Sequence, residues 1–237
     1  MVIHGKDLDA ELNGQDIILW QCHRAKAQAE QINASHSPVL KRLGGTISPE
    51  HEIPKLMWLK QHQPKVFAKA RYFFDLADWL IFKLTGSNSR SICTTTCKWT
   101  FNGNGHGWDD EFFRSIDLAE LVDAGYQRIG SSEQIMPVGT NLGTLSTEAA
   151  EALQLKPQTI VATGMIDAHA GALGLLGIHI TNVDLDIKVN NKLALIAGTS
   201  SCHMALSQKE LFVPGIWGPF PDAVLPGMSL TEGVNLP

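Results

Sequence analysis

Apolar positions along the 237-residue chain fall into short runs broken by polar, glycine and proline punctuation, and their spacing alternates between strand-like and helix-like. Asp16-Ile-Ile-Leu-Trp20 is a compact apolar run and predicts a short buried strand. Arg24 to Asn33, rich in Ala, Glu and Gln, predicts a helix that Pro38 ends. Ser48-Pro49-Glu50 predicts a cap and first turn for a second, half-buried helix through Pro54-Lys-Leu-Met-Trp-Leu-Lys-Gln61. Phe73, Leu76, Leu80 and Leu84 recur at helical intervals, so residues 67–84 read as one docked helix with Thr85-Gly86 as its stop. Ser91 to Phe101 is β-branched and aromatic and reads as a strand or extended segment, followed by a flexible turn over Asn102 to Gly107. Further helices are predicted over Trp108 to Leu121 and over Ser146 to Leu153, the latter capped by Ser146 or Thr147.

The strand-like run Thr159 to Thr163 leads to Asp167, and Gly171, Gly174 and Gly177 then fall three apart, nearly on one face of a helix that another backbone can approach. Val183 to Val189 alternates with acids and returns through Asn190-Asn191, a hairpin-type turn, into an apolar run Lys192 to Ala197. Helices alternating with short strands define an α/β class. No internal repeat is present, and the best internal boundary lies between Gly177 and Asn191.

Composition narrows the partners. Nineteen Lys and Arg against twenty-four Asp and Glu give a formal charge of −5, without the basic field that nucleic acid or an anionic membrane requires. No uncharged apolar stretch approaches the ~20 residues of a membrane span, and the N-terminus lacks a signal-peptide pattern, which predicts a cytoplasmic protein. The cysteines Cys22, Cys93, Cys97 and Cys202 form neither a disulfide framework nor a Cys-x-x-Cys pair. Free, semi-buried thiols are expected at Cys93 and Cys97, and no metal ligand set is read from the sequence.

Two features carry candidate chemistry. An apolar run delivers the carboxylate of Asp167 to its end with small residues behind it, which suits a base aimed into a cleft; a helix-capping aspartate is the plainer alternative. The run ending at Ala197 opens into Gly198-Thr199-Ser200-Ser201, where backbone N–H groups and hydroxyls can receive phosphate oxygens. Together they point to phosphoryl transfer. His169 reads as a packed, hydrogen-bonded histidine rather than a base, and the tryptophans as core or wall. A hydrolase using Ser200, Cys202 and His203 lacks the second glycine of a nucleophile elbow.

From about Trp20 to Glu232 the chain resembles the FGGY carbohydrate kinases, and most closely their ribulokinase branch. The resemblance rests on colinear motifs: Trp20-x-x-His-Arg-Ala, Pro54-Lys-Leu-Met-Trp-Leu-Lys60, Phe74-Asp-Leu-Ala-Asp-Trp79 through Leu84-Thr-Gly86, Cys97-Lys-Trp99, Gly107-Trp108, Ile166-Asp-Ala-His-Ala-Gly171 and Gly198-Thr-Ser-Ser201. It implies part of an actin-like, ribonuclease-H-like ATPase fold. Residues 1–185 would be an incomplete sugar-binding domain and residues 186–237 the beginning of a nucleotide-binding domain. It further implies ATP and Mg²⁺ as cofactors and a ketopentose or pentitol as substrate, D-ribulose first, with a xylulokinase-like or glycerol-kinase-like preference as the alternative within the fold; a homodimer of the full-length parent is allowed.

By the same resemblance Asp167 is the general base. Trp20, Lys98 and Glu232 bind sugar with it, while Gly198, Thr199, Ser200 and Ser201 hold phosphate. The chain departs from the family where Cys22 replaces an acidic residue, where Ser229 replaces a tryptophan, and where Gly-Gln-Ser is lost after Glu232. Family members are about twice this length, and an N-terminal Asp-x-Gly-Thr-type phosphate loop and the C-terminal adenine-site glycines fall outside the chain. The expectation is therefore a central fragment, poorly stable and weakly active or inactive alone.

Overall fold

The computed structural model describes residues 1–177, 189, 191–198 and 200–235. Strand β1 (Val2–His4) is followed by α1 (Asp9–Leu12), a 3₁₀ turn His23–Ala25, α2 (Lys26–Ala34), a 3₁₀ segment Pro38–Leu43, α3 (Glu52–His62), α4 (Pro64–Lys69), β2 (Tyr72–Phe74) and α5 (Leu76–Thr85). Next come β3 (Arg90–Ser91), α6 (Ile92–Lys98), α7 (Asp110–Ser115), α8 (Ala119–Asp123), β4 (Ile135–Met136), β5 (Asn141–Thr144), α9 (Thr147–Leu153), β6 (Ile160–Ala162) and α10 (Asp167–Gly177). The chain closes with β7 (Ala194–Ala197), β8 (Ser201–Ser207), β9 (Trp217–Pro221) and β10 (Ser229–Asn235).

Three small sheets, β1-β2, β3-β4 and β5-β6, are staples among the helices, and only β3-β4 is parallel. The last segment is a four-stranded antiparallel sheet in the order β7-β8-β10-β9. One apolar core runs from Met1 and Ile3 through Phe73, Trp99 and Ala172 to Met204 and Leu230. The two expected segments are thus packed on each other. A smaller core joins Ile81, Leu145, Ala149, Ala150 and Val161.

Several expectations are met. The helices α2 and α9 lie where composition put them, and the Ser146 side chain accepts the Ala149 N–H at 3.1 Å. Gly86 ends α5 in the left-handed conformation, with φ 78°, where a side chain is strained. Other expectations are corrected. Asp16–Trp20 holds only an isolated bridge, Ile17 to Val2, and Ile18 alone is buried, while Ile17, Leu19 and Trp20 are exposed. The single helix over 67–84 is broken, because Tyr72–Phe74 pairs with β1 and Asp75 restarts the helix by accepting the Ala77 N–H at 3.1 Å. The helix over 108–121 is likewise split into α7 and α8. The cap at Ser48 moves to His51, and the first two turns of α3 are buried rather than half-exposed. The hairpin read over residues 183–191 lies largely outside the described residues.

The largest correction concerns 91–101, which is not extended: residues 92–98 form α6. Ser91 caps it, its Oγ accepting the Cys93 N–H at 3.2 Å and donating to the Gly164 carbonyl at 2.7 Å. Thr95 and Thr96 turn their hydroxyls back to the carbonyls four residues earlier, at 2.8 and 2.7 Å. Each β-branched residue is thereby satisfied inside a buried helix, and tertiary burial overrides propensity.

Asp78 on α5 anchors this arrangement. Fully buried, its carboxylate accepts the Ser91 N–H at 2.9 Å and the Thr94 hydroxyl at 2.7 Å. Burial, reinforced by Asp75, pushes its pKa from 3.8 up to about 7 against the pull of Arg90. The folded state therefore holds a proton that the unfolded chain releases, so the stability from neutral Asp78 is complete below about 3.8 and is lost as pH rises through about 7. Urea unfolding across that window should show a loss of roughly 4 kcal/mol, largely absent in Asp78→Asn; equal slopes in the two proteins would refute the assignment.

Candidate active site

A cleft of about 680 Å³ opens between the helical part and the four-stranded sheet. Its walls carry Trp20, Lys98, Asp167, Gly198, Ser200 and Glu232, six of the residues singled out in the sequence. Ser201 is placed in β8 and is not in this wall; Thr199 lies outside the described residues. A second cavity, about 390 Å³ between Arg42, His106 and Trp108, contains none of these residues.

Each side chain arrives on a distinct element. Asp167 is the first residue of α10, exposed to the cleft, with Oδ1 accepting the Ala168 N–H at 2.8 Å. A carboxylate at that end is favoured by the helix dipole, but its bond to the very next N–H is not that of the capping aspartate the sequence allowed. Facing it, the chain turns between β7 and β8, and the Gly198 N–H donates to the Ser200 carbonyl at 2.8 Å. Gly171 lets this hairpin lie close to α10, since a β-carbon there would stand 3.1 Å from Ile196 Cδ1. Gly174 and Gly177 have no such neighbour in the hairpin.

Lys98 ends α6, its Nζ 5.7 Å from the centre of the Trp217 ring. Burial works against its charge, but Glu232 foremost, then Asp75, hold its pKa above the ordinary lysine range. Glu232 lies on the central strand β10, two residues from Leu230 and on the same core-facing side. A carboxylate at a core position needs partners. The nearest is His169, buried on α10, whose Nε2–H donates to Glu232 Oε2 at 3.1 Å while Nδ1 meets Cys93 Sγ at 3.2 Å.

The pKa values follow from this chain of contacts. Burial opposes the charge of His169, yet hydrogen bonds to Cys93 and Glu232 raise its pKa from 6.5 to about 9. Glu232 falls below its ordinary value because His169 and Lys98 outweigh the burial that would raise it. Burial would also raise Cys93, but hydrogen bonds from Cys97 and His169 bring it below the ordinary thiol value, while partial burial and the neighbouring Glu232 push half-buried Cys202 up to about 12. Histidine 169 is thus the hydrogen-bonded residue expected. Cys93 and Cys97 are free as expected, but fully rather than partly buried.

Sequence reasoning passed over three neighbours of the site. Asp75, inside a quoted motif, lines the cleft as the cap of α5. Trp217 also lines it and meets His51 edge-on, with ring centres 4.7 Å apart. His51 is kept neutral by burial and by Lys98 and Lys55, with its pKa lowered to about 3. No spacing signal separates His51 or Trp217 from ordinary core residues.

The fold is that of the actin-like sugar kinases, in part. A gluconate kinase from Lactobacillus acidophilus superposes with a TM-score of 0.73 at 20% identity, over 98% of this chain and 43% of that one. A xylulose kinase from Rhodospirillum rubrum gives 0.73 at 19%, with the same coverage. Residues 10–174 match the N-terminal domain of the FGGY family of carbohydrate kinases, and the chain belongs to that family. It is 46% identical over 224 residues to an FGGY carbohydrate kinase domain-containing protein of Danio rerio, covering 92% of this chain and 41% of the relative. It is 39% identical over 241 residues to a D-ribulokinase of Saccharomyces cerevisiae, covering 93% and 34%. The chain therefore spans about two fifths or less of the length of these curated relatives.

Removing Glu232 would leave His169 and Lys98 without their carboxylate. Glu232→Ala is expected to lower the unfolding free energy by about 3–5 kcal/mol, and Glu232→Gln by less, because the amide keeps a hydrogen bond. Urea midpoints measure both, and an alanine variant as stable as the parent would show that the pair does not hold β10 to α10.

Proposed function

We propose that this chain carries the sugar site of an ATP-dependent carbohydrate kinase, which transfers the γ-phosphate of ATP to a hydroxyl of a ketopentose or pentitol, D-ribulose first. The supporting observation is that one cleft gathers an exposed carboxylate at a helix N-terminus, a glycine-hydroxyl turn, and a Lys98–Glu232 pair of opposite charge. Sugars are recognised through hydroxyls, and the pair offers both a donor and an acceptor. Trp20, half-exposed on the rim, presents an apolar face to the ring or chain carbons. The yeast D-ribulokinase is one relative described with this chemistry. We take residues 1–185 as belonging to the sugar-binding domain and residues 186–237 as the start of the nucleotide-binding domain.

Asp167 orients the attacking hydroxyl and accepts its proton as the bond to phosphorus forms; in a loose transition state, placement matters more than basicity. Ser200 offers a hydroxyl to phosphate oxygens beside the N-terminal end of α10, and the Gly198 N–H, which the Ser200 carbonyl holds at 2.8 Å, would have to exchange that bond to join it. The carboxylate and hydroxyl oxygens of this cleft are hard donors of the type Mg²⁺ takes, and the Ser200 hydroxyl would help to hold it with the phosphates while Asp167 serves the sugar hydroxyl. When bound, Mg²⁺ spreads the charge of the ATP oxygens. The span of about two fifths of the relatives favours a second reading, in which this chain binds sugar without turnover.

Calorimetric titration with D-ribulose, D-xylulose, ribitol and glycerol should rank D-ribulose first. In the full-length protein carrying this sequence, Asp167→Asn should leave sugar affinity nearly unchanged and cut ADP release by about 10²–10⁴-fold. Sugar heat without ADP release by this chain would mark the second reading. Unaltered turnover in Asp167→Asn, or no heat with any of the four, would refute the kinase assignment.

A further inference from the structure

At the floor of the cleft, which His169 lines, Cys93, Cys97 and His169 bring two sulfurs and one imidazole nitrogen within 4.8 Å of one another. Nothing in the proposed phosphoryl transfer uses these three side chains, and all are buried, with exposures of 0%, 2% and 1%. Four residues apart on α6, the cysteines project from one face of the helix, toward α10. Their sulfurs are free.

We propose that Cys93, Cys97 and His169 form a buried three-ligand binding site for a soft or borderline d¹⁰ cation, Zn²⁺ foremost. A zinc ion bound by two thiolates and an imidazole holds its ligand atoms roughly 3.5–3.8 Å apart. The Cys93 Sγ to His169 Nδ1 separation is 3.2 Å, so small side-chain rotations open the space for the ion. Two thiolates cancel the double positive charge, which makes the loaded site neutral in a dry interior. The donors are also of the right softness: sulfur and imidazole select such ions over Mg²⁺, which keeps to oxygen.

The second observation lies on the far side of the imidazole. His169 turns Nδ1 to the sulfur and Nε2 to Glu232 Oε2, 3.1 Å away. Metal-bound histidines are commonly held in this way, with a carboxylate on the other ring nitrogen fixing the tautomer and orientation. Here that carboxylate also lines the cleft. An ion on Nδ1 would fix Glu232 in place, linking metal content to the geometry of the cleft wall. The site itself stands or falls independently of the kinase reading.

The test uses untagged protein, stripped with chelator and reloaded with Zn²⁺ or Co²⁺. One equivalent of Zn²⁺ per chain should survive gel filtration, and the Co²⁺ form should show thiolate-to-cobalt charge-transfer absorption in the near ultraviolet. Cys93→Ser and Cys97→Ser should each abolish that band, Cys22→Ser should leave it intact, and Glu232→Gln should weaken affinity by about 10–100-fold with unchanged stoichiometry. Full binding by the Cys93→Ser/Cys97→Ser double variant would overturn the proposal. Should the cysteine variants fail to fold, the parent decides: substoichiometric Zn²⁺, or Co²⁺ loading without the charge-transfer band, would overturn it.

Discussion

The hydrogen bond between His169 Nε2 and Glu232 Oε2 joins two parts of the chain 63 residues apart, and both residues line the cleft. Glu232 stands on a strand position that faces the core, where an isolated carboxylate would be expelled or protonated. His169 carries the matching positive charge from α10, and Lys98 adds a second from α6. One carboxylate thus ties the sheet to the helix that carries Asp167, with the charge of Lys98 acting on it from α6. Because the compensation is local, the strand tolerates a charge that also reaches the cleft, where a polar ligand can use it.

Around this pair the other features follow from packing. Gly171 leaves room for Ile196 of β7 against α10, and Asp167 and the β7–β8 turn line one cleft although thirty residues separate them in sequence. Asp78, Ser91 and the threonine hydroxyls fix α6, and hence its last residue, Lys98. Lys98, Asp167 and Glu232 sit on two helix ends and a strand face, which suits a chemistry that depends on placement.

Much of the site was legible because its residues sit at punctuation: Asp167 where an apolar run ends, and Gly198 and Ser200 where a strand turns. The α/β class, α2, α9 and the glycine stop of α5 were legible for the same reason. What local pattern concealed were outcomes decided by distant contacts. Tyr72–Phe74 could not be told from helix until β1 was available to pair with it. Residues 92–98 have strand composition, and only burial, which makes threonine hydroxyls seek helix carbonyls, makes α6 the better state. The His169–Glu232 pair and the contribution of His51 and Trp217 have no sequence spacing at all. The resemblance supplied Glu232, and the fold supplied its partners.

In the proposed site the buried charges position a sugar beside Asp167. A crystal structure of the protein with bound D-ribulose tests it most directly. It should show the sugar between Trp20, Lys98 and Glu232, with one hydroxyl about 2.6–3.2 Å from an Asp167 carboxylate oxygen. A sugar seated elsewhere, or an Asp167 carboxylate turned away from every hydroxyl while His169 still holds Glu232, would contradict it.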